Sequence, residues 1–366
     1  MRISPIRDLL AKRGAQFREI AGREVACCFS SVAEEYESVR SAVGLTDFSF
    51  ATLYRVPEEG LDVFERYSAG AVANIRFGRI LHTMALSEQG MLESELYIAN
   101  DDDKLILIGE SLVPDDAVRQ TLTELSEGGP APEELSGSYA LFGVDGFHAW
   151  AVVKELFGAD VLGLPYMSIE TYEVDGIEVK LFRAGKTSEF GYLLMVEAAS
   201  AEALWLKLEA AGEGFEIKPV GFDAHMTLRL DGRFFNIHKE GAAVKDPLPL
   251  GLQWMADFEG DDYRGKESFM ARREAGLSQK IVGLVSEGAE APLAEGDKVL
   301  HRGTEIGTVV AAVYSPVLST RIGLALLDVD YAYAGLDFVD ANGRKLSTVS
   351  LPPFTAKSLT VRLDEM

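Results

Sequence analysis

Cysteine is nearly absent: two in 366 residues, side by side at Cys27 and Cys28. Adjacent cysteines make a strained disulfide, so both are expected as reduced, partly buried small hydrophobes. A disulfide-framed secreted scaffold is excluded on the same count. Histidine is also sparse. His82, His148, His225, His238 and His301 form no HxH or HExxH pattern, and metal-ligand spacing is missing. Basic charge is short, with 35 Lys and Arg against 58 Asp and Glu and a net charge of −23. Phosphate contacts need a basic surface, so nucleic acid is not an expected partner. The acidity reads as solubility, or as a high-salt or acidic niche. No apolar run is long enough to cross a bilayer. The first twenty residues are polar, carry Arg2, Arg7, Lys12, Arg13 and Arg18, and lack the apolar core of a signal peptide. No membrane association and a cytoplasmic location are expected.

What is present is an ordinary globular balance, 47% hydrophobic and 25% charged, in a chain long enough for two or three domains. Ser30 and Ser31, followed by Glu34 and Glu35, open a helix with acids in its first turn. Val32, Tyr36, Val39 and Val43 give that helix an apolar stripe, and Gly44 ends it. Helices are predicted over 61–69, from Pro114 to about Leu125, and over 201–211. The run Lys104–Gly109 reads as a buried strand, and residues 178–182 and 192–196 as a strand pair. After Ser278 the pattern turns to short β segments at 279–285, 307–313, 321–327 and 359–363, separated by Gly and Pro. A separate all-β unit is expected there.

Five blocks, in order and across nearly the whole chain, carry a resemblance. They are Glu34-Glu35 with Val39-Arg40 and Val43-Gly44-Leu45-Thr46-Asp47; Gly78-Arg79 with His82-Thr83 and Glu88-Gln89-Gly90; Arg183-Ala184-Gly185-Lys186-Thr187-Ser188-Glu189-Phe190-Gly191-Tyr192; Gly221 to Leu230 with Gly251-Leu252-Gln253-Trp254; and Tyr314-Ser315-Pro316 with Ile322-Gly323-Leu324-Ala325 and Pro353-Phe354. Together they resemble the aminomethyltransferase family, the T-proteins of glycine cleavage. The resemblance implies an α+β fold: a three-domain cloverleaf with ferredoxin-like folate-binding lobes and a C-terminal β-barrel. Residues 1–277 would form the body of two intertwined lobes and 278–366 the barrel. It implies tetrahydrofolate in a central channel and one-carbon transfer, either aminomethyl from a lipoyl carrier protein or methyl from a small-molecule donor, as in folate-dependent demethylases. A non-catalytic ligand-binding or assembly protein on the same fold is the alternative. Relatives that maintain iron–sulfur clusters carry a cysteine motif, and no cysteine follows Cys28 here.

The resemblance also assigns positions. Glu95 stands at the family's second aspartate near the reacting folate nitrogen, the candidate acid–base group. Leu193 stands where the family has the glutamate that pairs with the pterin edge, His225 where it has an arginine, Leu359 where it has an aromatic ring. Lys186 and His82 replace tyrosines. The expected ligand-contacting set is His82, Arg183, Lys186, Tyr192, His225, Arg229 and Arg233 around Glu95. Acid, base and cation in one channel point to a polar or anionic ligand held differently from ordinary tetrahydrofolate; the alternative is a channel that has lost its ligand. Arg40 and Arg229 are expected as buried ion-pair or helix-anchoring groups, and Gly44 and Gly191 as scaffold.

Overall fold

The computed structural model describes residues 1–102, 104–129, 131–286 and 292–362. Two sheets face each other and a barrel closes the C-terminal side. The first sheet runs Ser168–Val174, Ile177–Arg183, Gly191–Glu197, Tyr139–Asp145, Val43–Asp47, Ile217–Pro219. It is antiparallel except for its last pair. The second runs Ile80–Leu86, Leu92–Asp101, Lys104–Ser111, Thr52–Pro57, Glu133–Glu134, antiparallel throughout. Side chains alternate across each strand, so each sheet has two apolar faces to bury. On Gly191–Glu197, Tyr192 and Leu194 pack beneath helices Ala149–Phe157 and Ala201–Gly212. Leu193 and Met195 point the other way, into a cluster with Tyr97, Ile106 and Ile108 of the second sheet. Helices Leu61–Tyr67 and Asp115–Leu125 cover that sheet's outer face through Phe64, Val118 and Leu122. The layers are thus helix, sheet, sheet, helix, with a shared interior between the sheets.

The last strands form a closed barrel in the order Gln279–Ser286, Thr320–Asp328, Thr304–Ser315, Lys298–His301, Asp337–Val339, Lys345–Val349. The expected β segments at 279–285, 307–313 and 321–327 fall on its long strands. The expected strand at 359–363 does not form: Lys357–Thr360 is a 3-10 turn, and Leu363 lies outside the described residues. Residues 357–360 are instead docked on the body, Ser358 N donating to Glu189 Oε2 at 3.1 Å.

Helix Val32–Ser41 begins as its sequence predicts, with Ser31 Oγ accepting from Glu34 N at 3.2 Å. It ends earlier than expected. Val43 and Gly44 already belong to strand Val43–Asp47, because β pairing with Tyr139–Asp145 captures them. Gly44 is required by packing: an added Cβ would lie 2.6 Å from Val39 Cγ2. Helix Phe222–Asp231 occupies the junction of all the parts. Ala224 and Leu228 pack on Tyr36 and Val39, Phe222 and Met226 enter the interior between the sheets, and Leu230 meets Ala311, Ile322 and Leu324 of the barrel. Among the described residues no helix is long and apolar enough to cross a membrane.

Candidate functional site

The interior between the sheets is apolar except at one end, where charged side chains converge from five elements. Glu95 comes from Leu92–Asp101, Glu110 from Lys104–Ser111, His82 from Ile80–Leu86, Arg229 from Phe222–Asp231 and Lys186 from the loop before Gly191. Lys186 Nζ bridges the two carboxylates, 2.7 Å from Glu95 Oε1 and 3.1 Å from Glu110 Oε1. Arg229 takes Glu110 in a two-pronged grip, Nη2 to Oε1 at 2.6 Å and Nη1 to Oε2 at 3.0 Å. This fork geometry is specific to arginine. His82 Nε2 lies 2.8 Å from Glu95 Oε1. The His82 ring sits 4.7 Å from Tyr97 and 5.2 Å from Trp254, and Trp254 is itself 62% exposed. His238 Nε2 is 3.5 Å from Glu110 Oε2.

Two acids and two bases this deep must compensate each other, since an unpaired buried charge is very costly. Burial opposes ionisation of Glu110, yet Arg229 and Lys186 hold its carboxyl well below the usual range. Burial likewise opposes ionisation of Glu95, and Lys186 and His82 bring it below its ordinary value. Desolvation lowers the His82 pKa against the pull of Glu95, so a neutral imidazole donates its Nε2 hydrogen to the carboxylate. Glu95 therefore spends Oε1 on Lys186 and His82. Its Oε2 is buried without a hydrogen-bond partner, 4.0 Å from Arg229 Nη1.

Glu95, Glu110, Lys186 and Arg229 line a cavity together with Phe48, Tyr97, Asp145, Leu193 and His225. Its volume is about 40 Å³, room for a water molecule or a few heavy atoms. Asp145 sits in its wall with its pKa pushed up to about 7 by burial, against Arg229 and a hydrogen bond from Thr187. It is a proton-bearing acid near neutrality.

The structure brings Glu95, His82, Lys186, Arg229 and His225 into this one cluster. His225 contributes no charge: burial, then Arg229, lower its pKa to about 3, and its Nε2 lies 2.8 Å from Thr46 Oγ1. The cation expected there only on protonation is a neutral ring edge-on to Phe48. Arg183 and Tyr192 lie on the far face of the first sheet. Arg183 donates to the Leu164 carbonyl, and Tyr192 packs under the helices. Period-two alternation sends them away from the interior that Phe182 and Leu193 enter. Arg233 follows the junction helix with φ +57° and Nη1 3.9 Å from Glu240 Oε1. Leu359 is 73% exposed. Arg40 and Arg229 are buried ion-pair groups as expected; Arg40 Nη2 is 2.6 Å from Asp231 Oδ1.

Glu110, Asp145 and His238 were not singled out by the sequence. The signal for Glu110 was available: an acid directly continuing the apolar run Leu105–Gly109 on a strand buried on both faces.

Two family models cover most of the chain: the GCVT N-terminal domain over residues 6–260 and the glycine cleavage T-protein C-terminal barrel domain over 279–355. The aminomethyltransferase of Geobacillus thermodenitrificans is 29% identical over 96% of this chain and 97% of its own. That of Bacillus subtilis is 28% identical over 93% and 95%. The crystal structure of the glycine cleavage system aminomethyltransferase T of Bartonella henselae superposes with a TM-score of 0.82 at 21% identity, covering 97% of this chain and 98% of that one, and so has the same fold. By these matches, its paired sheets and its six-stranded barrel, the chain belongs to the glycine cleavage T-protein family.

Proposed function

We propose that this chain is a divergent tetrahydrofolate-dependent one-carbon transferase of the aminomethyltransferase type. The observation that carries the reading is the buried, unpartnered Oε2 of Glu95, a residue that lines the interior cavity. An acceptor in that state orients an N–H or takes its proton as the nitrogen attacks an activated carbon. Tetrahydrofolate, when bound, supplies the nucleophilic nitrogen that receives the one-carbon unit. Lys186 and His82 hold the other oxygen of Glu95 and keep the acid ionised, so that Oε2 is left as a charged hydrogen-bond acceptor for its ligand. Arg229 and Lys186, tied to Glu110, keep the pocket neutral as a whole. A small-molecule one-carbon donor or a lipoyl carrier protein would deliver the group.

Calorimetric titration with tetrahydrofolate tests this. The expected result is saturable binding in the micromolar range. Leu193→Glu should strengthen it by at least about tenfold, since a hydrogen bond to a charged group is worth roughly 1.5–3 kcal/mol. No heat and no thermal shift in the parent protein would remove the folate reading.

A second reading, ligand binding without catalysis, is favoured by Leu193 itself. It occupies the wall where a pterin-pairing carboxylate would stand, beside a cavity of only about 40 Å³. A fused pterin ring is larger than that space, so the cavity would have to open to admit it. If tetrahydrofolate binds to the parent but no one-carbon transfer follows with any donor, this second reading holds.

A further inference from the structure

The proposed chemistry leaves one acid of the cavity wall idle. Asp145 ends strand Tyr139–Asp145, is 3% exposed and lines the cavity with Glu95 and Glu110. It stands on the first sheet and the two glutamates on the second, so the acids approach the space from opposite walls. Its surroundings leave room for a carboxyl and little else. Its partners on the two neighbouring strands are both glycine, Gly191 and Gly44. A Cβ on Gly191 would lie 2.7 Å from Asp145 Oδ1, one on Gly185 3.0 Å from it, and one on Gly143 3.1 Å from Oδ2. Larger residues there would push the carboxyl aside, because an interior this dense does not give.

What this carboxyl lacks is a counter-charge. Thr187 Oγ1 donates to its Oδ1 across a long 3.4 Å, and no ion pair reaches it among the described residues. The cations of the wall are engaged elsewhere, Lys186 on Glu95 and Glu110, Arg229 on Glu110. The groups around it can be summed. Burial works against Glu95 and Glu110, yet these cations hold both ionised. Burial, then Arg229, keeps His225 neutral. Burial also keeps the protons on Tyr97 and on Tyr166, whose hydroxyl donates to the Gly185 carbonyl at 3.2 Å. Two acids and two cations already balance. An ionised Asp145 leaves the wall one positive charge short, and its burial raises its pKa against Arg229 and Thr187. Without a ligand, a proton supplies the missing charge.

A second group in the same wall is short of a partner. Glu95 Oε2 is buried and accepts no hydrogen bond. A ligand that meets both needs carries two donors and one positive charge within about 40 Å³, room for a few heavy atoms. A planar amidinium has all three: an N–H on either side of one carbon, and a delocalised charge that suits carboxylates. We propose that this cavity is a subsite for a ligand end of the amidine class, which donates to Glu95 and to Asp145 and replaces the proton that Asp145 otherwise carries. Asp145 is then the residue that selects the ligand's charge. One cation enters and one proton leaves to solvent. The subsite goes beyond the folate reading and shares only Glu95 with it.

The test titrates acetamidinium chloride into the full-length protein by calorimetry at about pH 6.5, in phosphate and in MOPS. The two buffers differ in ionisation enthalpy, so the pair of heats counts protons. The expected result is saturable binding in the millimolar range, as suits so small a ligand, with roughly half a proton or more released per ligand. Protons compete for Asp145 at low pH, so affinity should rise up to about tenfold per pH unit below pH 7 and level off above it. Asp145→Asn keeps the shape and has no proton to give; it should weaken binding by about tenfold or more and abolish the release. Carboxyl carbon NMR on the parent needs no variant: an aspartate signal should titrate near neutrality and move to its ionised position as acetamidinium binds. Acetamide, neutral and of the same shape, should bind far more weakly. No binding, binding without proton release, equal binding of acetamide, or an aspartate signal that stays in place would each overturn the proposal. A parent that binds tetrahydrofolate but not acetamidinium loses this subsite and keeps the folate reading. One that binds acetamidinium with proton release and ignores tetrahydrofolate keeps the subsite and loses the folate reading.

Discussion

His225 and Asp145 line the same cavity wall, and burial moves them in opposite directions. His225 falls from an ordinary 6.5 to about 3, and Asp145 rises from 3.8 to about 7. In the folded protein His225 stays neutral while the unfolded chain takes up a proton below pH 6.5, so its contribution to stability declines as pH falls toward 3. Asp145 keeps its proton in the fold while the unfolded chain releases it above pH 3.8, so its contribution declines as pH rises toward 7. Each slope is about 1.4 kcal/mol per pH unit, and the two oppose between about pH 4 and 6.5. Denaturant unfolding at several pH values should separate them. Relative to the parent, His225→Asn should gain stability as pH falls, and Asp145→Asn as pH rises. Differences that are flat with pH would contradict both. Glu110 belongs to the same scale. Glu110→Gln leaves Arg229 and Lys186 with one carboxylate between them, and should cost about 3–5 kcal/mol in unfolding free energy. The residues legible in the sequence were those inside recognisable blocks: His82, Glu95, Lys186, His225 and Arg229. Asp145 ends its strand, where an acid looks like an ordinary turn residue until burial reveals its cost, whereas Glu110 sits inside an apolar strand and was legible as an anomaly.

At the scale of elements, the junction helix Phe222–Asp231 shows why pattern reading ran short. Only Asp223 escapes burial among its residues, so it has no polar face and no amphipathic signature. The same burial explains why its start is fixed. Gly221 N donates to Glu35 Oε2 at 2.7 Å, and a Cβ at Gly221 would lie 2.2 Å from Cys27 O. That neighbour is backbone and has little room to yield. Gly221→Ala should destabilise by roughly 1–3 kcal/mol or more through overpacking, read as a lower midpoint in urea with an unchanged slope. A midpoint equal to the parent's would mean the antiparallel pair Gln16–Ile20 and Arg23–Cys28, which carries Cys27, shifts freely. Strands were easier where both faces are apolar, as in Lys104–Ser111, and where pairs were close in sequence. The end of the chain misled in the opposite way: Leu359–Leu363 has the composition of a strand, but residues 357–360 dock as a turn through side-chain bonds. Ser358 N donates to Glu189 Oε2 at 3.1 Å, a contact between segments that no local pattern announces.

Taken whole, the molecule joins its barrel to its body through buried polar contacts. Phe354 lies 4.6 Å from the Arg40 guanidinium, Arg40 pairs with Asp231 and Glu189, and Glu189 receives Ser358. The loop carrying Lys186 is pinned at Glu189, so the barrel's last segment holds one wall of the cluster. The fold class was readable because its five blocks run the length of the chain. The shape of the interior was not, since it depends on which strand faces turn inward. Net charge acts at this scale as well. A chain at −23 repels itself when compact, and its exposed ion pairs, such as Arg119 with Asp116 and Lys298 with Glu305, are worth little. Its melting temperature should rise by several degrees between low salt and about 0.5 M sodium chloride, where screening is strong; a fall would mean that surface pairs outweigh the repulsion.

Glu95 is the acid proposed to meet the ligand. Tetrahydrofolate titrated by calorimetry into the parent and into Glu95→Gln measures this most directly. Glutamine keeps the shape and loses the charge, and Glu110 remains to hold Lys186 and Arg229. The prediction is micromolar binding in the parent and at least tenfold weaker binding in the variant, about 1.4 kcal/mol, with both proteins folded by thermal melting. Equal affinity in the two would contradict the assignment of Glu95, and absence of binding in a folded parent would contradict the folate site altogether.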